Sequence, residues 1–442
     1  MFRNPRIGKW LEGSSGWVFS AYAILAAFST YFCMYAFRKP FAAGTFEGVV
    51  DLPLAGEVTY KTLFIITQVL GYCLSKFLGI KVISELTPQR RAWGILLAIS
   101  FAWLALLGFA LTPAPYNAVF LFLNGLPLGM VWGLVFGFLE GRRLTELLGA
   151  GLSVSYIVAS GYVKAVGKAL VAYGLDEYWM PFVTGAVFVL PMLLFVGMLS
   201  HLPPPSEEDE ALRMRRAPMD AEARKVFFMR YLPGLLPLTG LYVLLTAYRD
   251  FRDNFAVEIW DALGYGKTPS ILATSENYVA LGVLLTLGVL FMVKDNRFAV
   301  AVVHALMLFG TLLIGGSTLL WQAGVLDPAW WMIAVGLGLY MAYVPFGCVL
   351  FDRLLAAVGV IGTAGFLIYV TDAFGYLGSV LLLLYKDLGQ PDLSWLEFFT
   401  AFSYATSAVC SVCFLVSAVY FWGQTRSRPE GSENHEYTPV SP

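Results

Sequence analysis

Apolar residues run along this chain in long, nearly unbroken stretches separated by short polar breaks. A helix that crosses a bilayer needs about 20 mostly apolar residues. About twelve such runs can be cut: 17–37, 60–79, 93–111, 117–139, 148–171, 180–199, 231–248, 270–293, 298–320, 330–351, 358–385 and 396–422. A barrel strand would alternate over about ten residues, and these runs do not, so the pattern predicts helices. Glycine recurs inside them, as at Gly125, Gly129, Gly133 and Gly137, where small residues let helix backbones approach. Arg3, Arg6 and Lys9 precede the first run. That run is too long for a signal-peptide core and no small-residue cleavage site follows, which predicts an uncleaved first span.

Composition agrees with the pattern. Of 442 residues, 58% are hydrophobic and 13% charged, against about 25% charged in soluble chains. Half the usual charge cannot cover a soluble protein of this size, and the same figures exclude disorder, collagen, coiled coil and a disulfide scaffold. The net charge of −1 conceals an uneven placement. With the N-terminus in the cytoplasm, nineteen of the 29 Lys and Arg fall in inner segments, while the clearly outer loops hold Lys267 and Lys386. This positive-inside bias places both termini in the cytoplasm of a plasma membrane.

Residues 200–230 form a long polar stretch between spans, beginning HLPPPSEEDE. The predicted organisation is an N-terminal six-helix bundle (1–199), a cytoplasmic linker (200–230), a C-terminal six-helix bundle (231–422) and a disordered cytoplasmic tail (423–442). An internal repeat supports two equivalent halves. Phe37-Arg38 and Phe251-Arg252 lie 214 residues apart, and so do Ala150-Gly151 with Gly161-Tyr162 and Ala364-Gly365 with Gly375-Tyr376. A weaker match joins Gly125-Leu126 to Gly336-Leu337 at an offset of 211. Parallel repeats of six spans describe a two-halved transporter with its site near the midplane between halves. The fold class is therefore an all-α membrane protein of about twelve spans in two pseudo-symmetric bundles.

Eight basic residues sit in or beside the spans: Arg38, Lys39, Lys61, Lys76, Lys164, Lys168, Arg249 and Arg252. The acids there are fewer: Asp250, Asp253, Glu276 and Asp372. A charge at the centre of a span costs at least about 2.5–3.5 kcal/mol and normally faces a cavity or a partner. Lys39, Lys61 and Lys168 are equally explained by side chains that snorkel to headgroups. Arg38 and Arg252 occupy matched positions, and two guanidinium forks from the two halves suit a phosphate or carboxylate. The positive surplus predicts an anionic substrate. Asp372 lies midway along the eleventh run and the repeat places Val158 opposite it. It is expected either to pair with a cation such as Arg38 or Lys76, or to carry a proton.

Three motifs carry less. Asp261 to Thr268 nearly spells a phosphate-binding loop, but its first glycine is Asp and no strand precedes it. Cys410 and Cys413 stand two apart inside a span, so packing explains them better than metal or redox chemistry. His304 is a lone span histidine, read as packing ahead of a proton relay. No basic tract points to nucleic acid.

These residues resemble the major facilitator superfamily and, within it, the organophosphate:phosphate antiporter branch. Arg38-Lys39-Pro40-Phe41 is similar to that branch's Arg-Lys-x-Phe, Ser75-Lys76-Phe77 to its Ser-Lys-Phe, and Ala364-Gly365-Phe366 with Phe374 to Ser379 to its eleventh span. The chain is also similar to a bacterial membrane family of unknown function, which implies a bacterial inner membrane. The resemblance implies that Arg38 grips the anion from span 1, with Arg252 or Arg249 opposite it in span 7, and Lys76 lining the site. Ser160 stands where the branch has His, and Lys164 one turn on is a substitute. Gly79 to Arg91 only approximates the superfamily's loop between spans 2 and 3.

The expected function is secondary transport of a small anionic solute, phosphorylated or carboxylated, by alternating access. Arg38, Lys76, Lys164, Arg249 and Arg252 are the candidate substrate residues, and Asp372, Glu276 and His304 the candidate coupling or ion-pair residues. Exchange for a second anion, H⁺ or Na⁺ would drive it. No cofactor, metal or catalytic residue is expected, and the chain is expected to be monomeric with the lipid bilayer as its surroundings. The alternatives are a membrane-embedded enzyme acting on a lipid phosphate and a transporter-like sensor.

Overall fold

A computed structural model describes residues 5–52, 56–86, 88–140, 142, 145–205, 221–358, 364–390 and 392–426. The linker's middle (206–220), Arg143 and the tail beyond Arg426 lie outside the described residues.

Twelve helices of 18 residues or more are described. They are α2 (Gly16–Tyr35), α3 (Tyr60–Glu85), α4 (Pro88–Leu111), α5 (Ala118–Phe136), α6 (Thr145–Ala172) and α7 (Met180–Ser200), then α8 (Ala221–Asn254), α10 (Ile271–Phe291), α11 (Asn296–Gln322), α12 (Pro328–Pro345), α14 (Ala364–Leu384) and α15 (Trp395–Arg426). Short helices α1 (Pro5–Glu12), α9 (Ala256–Ala262) and α13 (Phe351–Ala357) accompany them. Their starts follow local chemistry. The Asp295 carboxylate accepts from the Phe298 N–H at the head of α11. Asp327 does the same for Ala329, with Pro328 in the first turn of α12, where its missing N–H costs nothing. By length and composition ten of the twelve can cross a membrane. The other two, α3 and α14, carry Lys61, Gln68, Lys76 and Asp372, and their polar load is turned inward between helices rather than to lipid.

Three features differ from the sequence expectation. Helix α8 begins at Ala221, inside the segment read as linker. Its first turns, Ala-Glu-Ala-Arg-Lys, are strong helix formers, and 34 residues span about 51 Å at roughly 1.5 Å each, more than a bilayer core requires. Helix α15 likewise continues to Arg426, four residues into the predicted tail. Between α2 and α3 lies a hairpin of β1 (Val49–Leu52) and β2 (Gly56–Thr59), paired antiparallel.

Packing repeats between the halves. In the first, α2 packs on α6 and α7, α3 on α5, and α4 on α5 and α7. In the second, α8 packs on α14 and α15, α10 on α12, and α11 on α12 and α15. These are the same pairs, advanced by six spans. Contacts across the halves obey the same rule, α6 on α10 and α3 on α14. Glycine permits the tightest approaches. A Cβ on Gly125 of α5 would lie 2.3 Å from the Gln68 carbonyl oxygen of α3, and one on Gly71 of α3 would lie 2.1 Å from that of Phe122.

Candidate functional site

The two halves enclose a central cavity of about 70 Å³. Tyr31, Tyr35 and Arg38 enter it from α2 and the turn that follows, Tyr72 and Lys76 from α3, and Trp132, Ser153 and Tyr156 from α5 and α6. The second half adds Tyr242 and Arg249 from α8, Tyr343 and Val344 from α12, Gly347, and Asp372 and Tyr376 from α14. Gly347 belongs to a π-helical turn, Phe346–Leu350, that follows Pro345 and widens the helix beside the cavity. Such turns are frequent at functional sites.

Arg38 is held by its backbone. The helix α2 ends at Tyr35, and the chain turns at 36–39. Two buried amides fix that turn: Gln68 donates 2.8 Å to the Arg38 carbonyl, and Asn124 donates 2.9 Å to that of Phe37. Gln68 also donates 2.8 Å to the Asn124 side-chain oxygen, and Asn124 gives its second hydrogen to Ala102 O at 2.9 Å. All four amide donors are satisfied, which makes the support rigid. The guanidinium lies 3.8 Å over the Tyr72 ring and 5.8 Å from that of Tyr35. Its Nε has no acceptor and no carboxylate pairs with it among the described residues.

The cavity's other charges are linked. Lys76 is 3.2 Å from Asp372, which also accepts from the Tyr242 hydroxyl. The Tyr242 and Tyr343 hydroxyls are 2.9 Å apart, and Arg249 donates to Tyr343. Tyr242 has one hydroxyl proton. With that proton on Asp372, Tyr343 must supply the one between the two tyrosines. The result is a single polarised run from Arg249 to Asp372. Asp250 backs Arg249 at 2.8 Å and takes a further bond from Ser379 at 2.8 Å.

A second, smaller cavity is lined by Lys164, Arg252, Asp253, Glu276 and Tyr340. Arg252 is bound to Glu276 at 2.9 Å and donates 3.1 Å to Met332 O. Beside it, Asp253 holds Lys39 at 2.5 Å and Lys164 at 2.8 Å, and accepts from Ser160. Lys61 pairs with Glu258, and Lys168 with Asp261 at 2.8 Å. Each of these lysines belongs to the first half and each acid to the second, and all lie around the C-terminal ends of α2, α6 and α8.

The expected residues thus separate. Arg38, Lys76, Arg249 and Asp372 share the central cavity, while Arg252, Lys164 and Glu276 share the second one. The expected convergence of Arg38 and Arg252 is not what the structure has: α8 turns Arg249 to the central cavity and Arg252 to α10. Lys39, Lys61 and Lys168 are paired with carboxylates rather than snorkelling. His304 is remote from both cavities, 2.8 Å from Val300 O and 3.1 Å from Ser417 Oγ, as a packing residue would be. The near phosphate loop, Asp261 to Thr268, begins in the last turn of α9 and continues as a turn, so a helix and not a strand leads into it. The sequence reading missed the tyrosines, Gln68, Asn124 and Asp253 as site residues. Tyr31, Tyr35 and Arg38, and likewise Tyr72 and Lys76, recur at three to four residues, which puts each set on one helix face.

No curated protein matches the sequence. In shape the chain is similar to the crystal structure of a D-xylose-proton symporter, with 15% identity, a TM-score of 0.58, and 93% of this chain and 99% of that one covered. It is also similar to the inward-open conformation of the xylose transporter XylE from E. coli, with 13% identity, a TM-score of 0.52, and 89% and 95% covered. At such identities the likeness establishes the fold alone: a mostly helical, multi-pass membrane protein with the fold of these two structures. A family of unknown function, DUF5690, matches residues 40–424, and the chain belongs to it.

Proposed function

We propose that this protein is a secondary transporter that moves a small anionic solute, phosphorylated or carboxylated, across a plasma membrane by alternating access. The observation that carries the reading is Arg38, a buried cation facing the central cavity, seated on a tyrosine ring, with no carboxylate opposite it among the described residues. A buried charge normally has a partner, and an anion in the cavity supplies one. A neutral sugar would bring no charge to pair with the guanidinium. Arg249 and Lys76 add positive potential, and the tyrosine hydroxyls and ring faces suit a solute with both polar and apolar surface.

Alternating access draws support from the way the halves meet. They are joined at one end by ion pairs of Lys39, Lys61, Lys164 and Lys168 with three acids. A polar junction of this kind separates more readily than an apolar one. In the orientation that the positive-inside bias favours, with both termini in the cytoplasm, that end faces outside. The organophosphate:phosphate branch is the finer reading, with Arg38, Lys76 and Arg249 as the anion residues and Asp372 as the acid that competes for Lys76. A thermal-shift screen of the purified protein against phosphate esters, nucleotides, carboxylates and neutral sugars tests the reading. Stabilisation by an anion class, abolished in Arg38→Ala, is expected. Stabilisation by neutral sugars alone would reject it.

A further inference from the structure

Glu276 is buried on α10, yet its pairing is incomplete. Arg252 reaches one oxygen, Oε1, and the other, Oε2, has no donor among the described residues. The arginine is incomplete in the matching way, since its Nε has no acceptor among the described residues. A structural Arg–carboxylate pair would close both positions with a fork. Here the pair is held by one contact beside a cavity with room for about one water. Two glycines make the space. A Cβ on Gly336 of α12 would meet the Arg252 guanidinium at 2.5 Å, and one on Gly161 of α6 would come 3.1 Å from Glu276 Cγ and 1.9 Å from Leu272 O.

We infer that Glu276 is a proton-binding site, taking H⁺ from water at Oε2, and that its occupancy controls opening of the ion-paired end. The inference rests on the alternating-access reading above. The groups that face Glu276 are Arg252 and Asp253 from α8, Lys164 from α6 and Tyr340 from α12; α9 contributes Trp260, which does not titrate. With Lys39, which pairs with Asp253, the cluster holds three cations and two carboxylates. A proton on Glu276 removes one of those two negative charges. The surplus positive charge then repels Lys39 and Lys164 around Asp253, across the seam between the halves. Acid therefore loosens the seam, and deprotonation restores it.

The test needs no solute, so its outcome is separate from the identity of the transported anion. A cysteine replaces Ser153, which lines the central cavity, in a chain cleared of its five cysteines. The protein in nanodiscs is labelled with a thiol reagent of constant reactivity between pH 5 and 8, and the rate is read against pH. The expected result is a rate that climbs on acidification, by at most tenfold per pH unit, the limit for one proton. Glu276→Gln should label at the acid rate at every pH, and Glu276→Asp should keep a pH dependence. Infrared difference spectra on the same samples should show a carboxylic-acid band gained on acidification by the parent chain and missing from Glu276→Gln. A pH-independent parent rate, or Glu276→Gln with the parent's pH dependence and band, would overturn the inference.

Discussion

Arg38→Lys asks what the guanidinium does beyond carrying charge. The substitution keeps one positive charge in the cavity and removes the planar fork that lies 3.8 Å over Tyr72. Two energies change. The cation–π contact, about 0.5–2 kcal/mol, exists with or without a ligand and so largely cancels from the binding equilibrium. The second hydrogen bond of a bidentate Arg–anion contact exists only with ligand, and a hydrogen bond to a charged group is worth about 1.5–3 kcal/mol. The lysine variant should therefore bind its anion roughly 10- to 150-fold more weakly. Its backbone support should persist, because Gln68 and Asn124 hold the carbonyls of Arg38 and Phe37 and not the side chain. Isothermal titration with a phosphate ester that stabilises the wild type gives the dissociation constants, and thermal unfolding checks the fold. A folded Arg38→Lys whose affinity stays within twofold of wild type for every anion tested would refute the reasoning.

Other substitutions probe the remaining parts. Asp372→Asn removes the carboxylate charge that lies 3.2 Å from Lys76, so anion affinity measured by titration should rise; unchanged affinity would make the pair a packing feature. Asp253→Asn removes the acid shared by two buried lysines. Breaking such a pair costs about 3–5 kcal/mol, so labelling of a cysteine at position 153 should accelerate by 100-fold or more; no acceleration would mean that the ion pairs do not hold the halves together. Gly125→Ala should lower the unfolding temperature by an overpacking cost of about 1–3 kcal/mol, because its Cβ would meet the Gln68 carbonyl. Gly288→Ala, which would meet nothing within 4 Å, is the control expected to leave it unchanged or raise it.

The helices were legible because a bilayer imposes length and continuity on apolar runs, and the 214-residue offset that aligns Arg38 with Arg252 and Gly161 with Gly375 accompanies a set of helix contacts that recurs six spans on. Arg38, Lys76, Arg249 and Asp372 stood out as charges in apolar surroundings. What the sequence could not settle was helix phase. Arg249 and Arg252 lie three residues apart, which is about 60° around a helix, enough to send one to the central cavity and the other to Glu276. The repeat favoured Arg252 because it matches position, and position in the repeat does not fix which cavity a long side chain enters. The tyrosine lining was hidden by number, since seven of 23 tyrosines carry no mark that separates them from the rest. Gln68 and Asn124 are single amides in apolar runs, and their partners are backbone carbonyls that only the folded turn creates.

A cavity around Arg38 that carries an anion should exchange it in counterflow: proteoliposomes loaded with an unlabelled solute are diluted into the labelled one, across a panel of phosphate esters, carboxylates and neutral sugars including xylose. Transient accumulation of at least one anion by the wild type is expected, none by Arg38→Ala, and none of any neutral sugar by either. Accumulation of a neutral sugar, with no anion exchanged, would contradict this.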